Sequence, residues 1–166
     1  MNPDAYYIHE VAVDAVAPLR TAVLRPQFDA GELLHYPGDH HDRAHHYAAI
    51  AADGDDSSIV AVVSYLGEAI PIDGQSATCR LRGMAVAPAL QRQGLGSHLL
   101  STTLTRMALH RPGQQVWAAA RVGVTDFYVG HGFEPVGPPF EMPSVGPHQR
   151  MIRALPTALA STKPKP

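Results

Sequence analysis

Apolar and polar positions alternate from Met1 to Val13 closely enough to predict an opening strand. From Asp14 to Arg25 the apolar positions shift to helical spacing, until Pro26 ends the run. The next segment, QFDAGELLHYPGDHHDRAHH, holds at most a short helical stretch and carries the turn signal Tyr36-Pro37-Gly38-Asp39. It is too polar for a core and is expected to be a mobile surface excursion. Tyr47 to Ala52 and Ile59 to Leu66 predict two strands joined as a hairpin by the turn-forming DGDDS. Thr78 to Val86 predicts a third strand of this meander, ended by Pro88. Leu95 to His110 places Leu100, Leu104, Met107 and Ala108 on one helical face, and Pro112-Gly113 terminates it. A strand from Val116 to Ala120, a short helix from Val124 to His131 and the strand-like FEPVG follow. Pro135 to Pro147 is too rich in Pro and Gly for regular helix, and HQRMIRAL reads as a closing strand. The last segment, PTALASTKPKP, reads as a disordered tail.

This order of meander, helix, strand, helix and closing strands predicts an α+β fold with a mixed, mostly antiparallel sheet rather than a doubly wound one. The 166 residues, 45% of them apolar, suffice for one domain over 1–155 with a tail over 156–166. Net charge is −2 and the basic residues are scattered, so neither nucleic acid nor an acidic membrane surface is an expected partner. Cys79 is the only cysteine; it excludes an intrachain disulfide, suits a reducing compartment and reads as core. The start of the chain lacks a basic region followed by an apolar run, and no stretch approaches the ~20 apolar residues of a membrane span. A cytoplasmic protein is expected. Oligomeric state stays open, a homodimer included.

The most informative stretch is LRGMAVAPALQRQGLGSHLL, where an apolar strand breaks at a proline and passes through glycines into a helix. At such a junction the unpaired N–H groups of the first helical turn converge, the helix dipole adds positive charge, and missing β-carbons let an anion approach the backbone. Phosphate is the natural guest. The dinucleotide-binding pattern would need glycine where Leu99 stands, and the triphosphate-binding loop would need a Gly-Lys-Ser/Thr that is lacking. Taken alone, the loop could also be a helix that begins with flexible residues.

Gln91-Arg92-Gln93-Gly94-Leu95-Gly96, preceded by a strand ending Met84-Ala85-Val86, resembles the pyrophosphate-binding signature of the GNAT superfamily of N-acetyltransferases, and DFYVGHGFEPVG resembles its second signature. The resemblance runs from about Ala5 to Leu155. The ending FEMPSVGPHQRM also resembles an ElaA-like bacterial subgroup, whereas Arg121 stands where many members have asparagine. The family resemblance implies a single domain with a splayed strand pair at the cofactor site, and acetyl-CoA as acyl donor to an amine of a small molecule, peptide or protein. It implies that backbone groups around Met84, Ala85 and Val86 pair with the pantetheine arm. Gln91, Arg92, Gln93, Gly94, Leu95, Gly96 and Ser97 would bind the pyrophosphate. Tyr128 matches the position whose hydroxyl serves as general acid toward the leaving thiolate; a core aromatic beside Phe127 is the plainer reading.

No carboxylate replaces the glutamate that some relatives carry where Arg80 stands. A water relay to Glu141 or His148, or an amine that arrives neutral, could meet the need for a base, and an ordinary edge-strand histidine is the plainer reading of His148. Tyr36 and Asp39 join Glu141 and His148 as candidate acceptor contacts. The run Asp39-His40-His41-Asp42 with His45-His46 contains metal-competent side chains at a spacing that matches no known site, so a polar loop at the acceptor cleft is expected and no metal. A coenzyme A-binding module without turnover and a metal-binding protein are the alternatives from other classes.

Overall fold

The computed structural model describes residues 5–52, 58–72 and 75–157. A seven-stranded sheet runs in the order β1 (Tyr6–Glu10), β2 (His45–Ala51), β3 (Ile59–Leu66), β6 (Cys79–Val86), β7 (Gln115–Arg121), β9 (Gly146–Ala154) and β8 (Glu134–Met142). A separate hairpin pairs β4 (Ile70–Ile72) with β5 (Gln75–Ala77). Every neighbouring pair of the large sheet is antiparallel except β6 and β7, whose parallel pairing requires a crossover. The crossover is α2 (Leu95–His110).

Strand alternation gives the sheet two apolar faces. Tyr47, Ala49, Ala61, Val63, Tyr65 and Leu81 meet Leu95, Leu99, Leu100, Leu104 and Met107 of α2 on one side. Ala48, Val62 and Ala85 meet Val13 and Val16 of α1 (Val13–Leu24) on the other. That is why β3 reads as a nearly continuous apolar run. Full burial of each Leu or Met contributes ~1.5–3 kcal/mol as an upper bound, so the stripe on α2 is a main source of stability. Cys79 is buried as expected, and burial pushes its thiol up to about 11. Among the described residues no helix is long and apolar enough to cross a membrane.

Several elements differ from the sequence reading. The polar segment 27–46, whose last two residues open β2, is not all surface: Leu34, Asp39 and His46 are buried. Arg20, on the inner side of α1, is fully buried and draws Asp39 inward as its counter-ion, with Nη1 donating to Oδ2 at 2.7 Å. His148 lies on β9, which has strands on both sides and is not an edge. The proline-rich stretch becomes β8 because it is the sheet edge, where a missing N–H costs least. Its ladder is interrupted between Val136 and Phe140, and the Gln149 amide donates to the freed carbonyls of Val136 and Gly137 at 3.0 Å. The β4–β5 hairpin was not foreseen; strands of three residues leave no period to read. The DGDDS turn, the first four residues and the tail beyond Thr157 lie outside the described residues.

One irregularity positions the site. β6 pairs with β7 only at Cys79, Arg80 and Leu81, opposite Val116, Trp117 and Ala118. Beyond Leu81, β6 bulges: Arg82 faces Ser64 and Ala85 faces Val62, so Gly83 and Met84 together oppose Val63. Gly83 has φ +63°, and a β-carbon there would lie 2.9 Å from both Arg20 Nε and Tyr36 Cε2. The two strands separate where this bulge begins, which is the splayed pair the family resemblance implies.

Candidate active site

The glycine loop folds as a braced cradle. Ala87 N–H donates to the Val60 carbonyl at 2.8 Å, and a single 3-10 turn spans Pro88–Leu90. The Gln91 amide reaches back to the Val86 carbonyl at 2.9 Å, and the Gln93 amide to the Ala89 carbonyl at 2.8 Å. Arg92 (φ 61°) and Gly94 (φ 89°) are both left-handed, the alternation that turns successive N–H groups toward one point. Gly94 caps α2 without any side-chain hydrogen bond, so the first-turn donors of this 16-residue helix remain for a ligand.

The loop opens onto a cleft of about 510 Å³. Met84, Ala85 and Val86 form one wall, Gln91, Arg92, Gly94, Gly96 and Ser97 the loop end, and Phe127 and Tyr128 another wall. Eight of the ten residues expected at the cofactor therefore come together. Leu95 does not line the cleft, because it is 1% exposed in the core, and Gln93 is exposed with its amide turned to Ala89. The backbone room is suitable for a phosphate: nothing lies within 4 Å of a β-carbon built on Gly94.

A second cleft of about 270 Å³ adjoins the first, and Met84, Val124 and Tyr128 line both. Tyr128, in α3 (Thr125–Val129), is held edge-on between Phe127 and Phe133, with centroids 5.3 and 5.5 Å away. Its hydroxyl finds no hydrogen-bond partner among the described residues. Burial pushes its pKa up to about 12, so at neutral pH it is a protonated donor. The core-aromatic and site readings of Tyr128 are thus compatible: its ring packs against Phe127 and Phe133 while the residue lines both clefts.

Of the candidate acceptor contacts, Tyr36 and His148 line the second cleft. His148 is 4% exposed, and its Nδ1–H donates to the Gly146 carbonyl at 2.7 Å. A carbonyl can only accept, so in the neutral imidazole it is Nε2 that carries the lone pair. Asp39 and Glu141 are not in the cleft. Glu141 is exposed on β8, whereas the Asp39 carboxylate accepts from Arg20 and from Tyr36 N–H, both at 2.7 Å, and so positions Tyr36 rather than touching a ligand. The Tyr36 ring sits between the guanidinium groups of Arg20 and Arg82, 4.8 and 3.7 Å from its centroid.

The histidine-rich run divides. His46 is buried, its Nε2–H donating to the Asp39 carbonyl and its Nδ1 accepting from Ser64, both at 2.8 Å. Ser64 in turn accepts from Arg20 at 2.7 Å. His41 pairs with Asp42 on the surface, and His35 stacks on His40. His45 bonds Glu10 at 2.7 Å and stacks on His110. Among the described residues the metal-competent atoms that gather, within 4.8 Å, are those of Glu10, His45 and His110, two of them from outside the run.

Gly83, Arg20, Arg82 and Ser64 were missed by the sequence reading. An isolated glycine inside a strand pattern is a bulge signal and could have pointed to Gly83; the others have no local signature.

Comparisons with known proteins agree with this geometry. Residues 39–153 match the family described as the acetyltransferase (GNAT) domain. The chain is 27% identical over 151 residues to YitI of Bacillus subtilis strain 168, described as an uncharacterized N-acetyltransferase, covering 91% of this chain and 97% of that protein. Among solved structures, Escherichia coli ElaA superposes with a TM-score of 0.69 at 22% identity, covering 89% of this chain and 99% of that one. An acyl-CoA N-acyltransferase from Pseudomonas aeruginosa gives 0.65, also at 22% identity, covering 90% and 98%.

Proposed function

The chain belongs to the GNAT acetyltransferase family, and within it we propose an acetyl-CoA-dependent N-acetyltransferase whose donor enters the larger cleft and whose amine enters the smaller one. The observation that carries this reading is Tyr128, a residue lining both clefts beside the opened β6–β7 pair, with a protonated hydroxyl that has no hydrogen-bond partner among the described residues. The N–H groups around Gly94 to Ser97 would hold the pyrophosphate. β6 from Arg82 onward has no β7 partner, so its backbone edge can pair with an extended amide chain. Gln91 belongs to this site as a brace, since its side chain already occupies the Val86 carbonyl.

Transfer needs a neutral amine and a proton for the leaving sulfur. His148, which lines the acceptor cleft, would accept the amine proton at Nε2 directly or through water. As the new C–N bond forms, the C–S bond breaks, and Tyr128 donates its proton to the departing thiolate. The test is thiol release from acetyl-CoA across an amine panel. Tyr128→Phe keeps the packing and removes the donor, so turnover should fall at least about tenfold while the coenzyme A-induced rise in Tm is unchanged. Equal Tm shifts from coenzyme A, ATP and NADH would overturn the donor assignment. Wild-type rates in Tyr128→Phe, with chemistry rate-limiting, would reduce Tyr128 to a packing residue.

A further inference from the structure

The acceptor cleft has a charge pattern that the acyltransferase reading does not require. Arg25, Arg80, Arg82 and Arg121 line it, and no carboxylate does. The chain as a whole is slightly acidic, so this is a local concentration of positive charge. The nearest compensation is Glu68, whose carboxylate is divided between Arg80 and Arg82. Arg80 lies over the Trp117 ring, and Arg82 over the Tyr36 ring at the cleft wall. Arg82 Nε is buried without a hydrogen-bond partner. Burial and the neighbouring Arg80 both press against the Arg82 charge, as in a site that would gain from an added anion. Arg121 makes no side-chain hydrogen bond or ion pair among the described residues, and the Arg25 guanidinium donates only to the adjacent Leu24 carbonyl among them.

Placement matters as much as charge. Arg121 is the direct cross-strand partner of His148, so both side chains rise from the same face of the sheet, and a carboxylate held by Arg121 would lie within reach of an amine at His148. That separation suits an amine and a carboxylate only a few bonds apart. Resting on the acyltransferase reading above, we propose that the acceptor is an amino acid, with its carboxylate held by Arg121 and Arg25 beside Arg82.

Arginine forks bind carboxylates in two parallel hydrogen bonds, giving orientation as well as attraction. The same positive charges disfavour the ammonium form of the amine and so help deliver the neutral nucleophile. They also repel plain and polycationic amines. The reaction balances without a further reagent: the ammonium loses one proton to become the nucleophile and a second after attack. The C–N bond forms as the C–S bond breaks, and the sulfur leaves with its electron pair and takes the Tyr128 proton; one of the two amine protons restores Tyr128 through solvent and the other is released. The products are an N-acyl amino acid and free coenzyme A.

The test compares amino acids with their decarboxylated counterparts, as in phenylalanine against phenethylamine. One arm measures thiol release from acetyl-CoA. The other measures binding of the N-acetylated forms to protein saturated with coenzyme A, which needs no turnover. Carboxylated members should show at least tenfold higher kcat/KM and tighter, salt-sensitive binding. Arg121→Gln and Arg25→Gln, both on accessible side chains, should raise acceptor KM or Kd at least tenfold with KM for acetyl-CoA and Tm unchanged. Equal or better performance by the decarboxylated amines, no binding by any member, or no effect of either variant overturns the proposal. Carboxylate binding that depends on Arg121 but leads to no thiol release would instead sink the transferase reading and leave the anion site standing.

Discussion

Replacing Asp39 by alanine is the sharpest test of the buried frame under the acceptor cleft. Arg20 and Asp39 have fully buried side chains, and one carboxylate oxygen, Oδ2, accepts from both Arg20 Nη1 and the Tyr36 N–H. Breaking a buried pair from one side leaves an uncompensated charge, which costs about 3–5 kcal/mol. A domain of this size loses roughly 2–4 °C of Tm per kcal/mol, so Asp39→Ala should melt roughly 6–20 °C lower. Urea unfolding should show a lower midpoint with an unchanged slope. Because Asp39 fixes Tyr36 at the cleft, acceptor KM should rise more than KM for the acyl donor. The Arg20→Met/Asp39→Ala double variant should be more stable than the sum of the single losses predicts, since the orphaned charge is gone. A loss below about 1 kcal/mol for Asp39→Ala, or strictly additive single losses, would show that the pair is solvated and the segment a surface loop after all.

Three further outcomes are expected. Burial, aided by the Arg20 and His40 charges, lowers the His46 pKa against the opposing pull of Asp39. The unfolded chain therefore binds the proton first: the contribution of His46 is intact above about pH 6.5 and is lost as pH falls below it through the lowered folded value, so urea midpoints between pH 7.5 and 5.5 should drop more for wild type than for His46→Gln, and parallel drops would refute the assignment. Gly83→Ala forces a left-handed non-glycine residue and sets a methyl 2.9 Å from Arg20 Nε and Tyr36 Cε2, so a loss of about 2–4 kcal/mol in thermal or urea unfolding is expected, and a neutral effect would contradict the bulge. Gly96→Leu starts from a β-carbon in ordinary 3.5 Å contact with Met84 and Val86 but extends into the donor cleft; it should abolish the coenzyme A-induced Tm rise, otherwise roughly 5–10 °C at a hundredfold excess over Kd, and a normal rise would displace the coenzyme site.

The helix Leu95–His110, the β2–β3 meander and the strand leading into the glycine loop were legible along the chain because each is set by a local period or a local break. The anion cradle was legible for the same reason: glycines, a helix start and its unpaired donors lie within a few consecutive residues. The acceptor side was not, and there the resemblance supplied candidates that only partly converged. Arg20 and Asp39 stand 19 positions apart, and neither carries a sign of burial until α1 packs on the sheet and leaves a charge that must be neutralised. FEPVG was strand-like in the sequence, but Pro138 and Pro139 excluded only helix there, and the strand extends through them because β8 is an edge. Arg121 and His148 become neighbours only through the β7–β9 register, and Tyr128 becomes the junction of two clefts only because β6 bulges at Gly83 and parts from β7. Local sequence determines hydrogen bonds made within a few residues. Long-range pairing, burial of charge and the meeting of side chains from different strands depend on strand register and layer packing, which no single stretch of this chain encodes by itself.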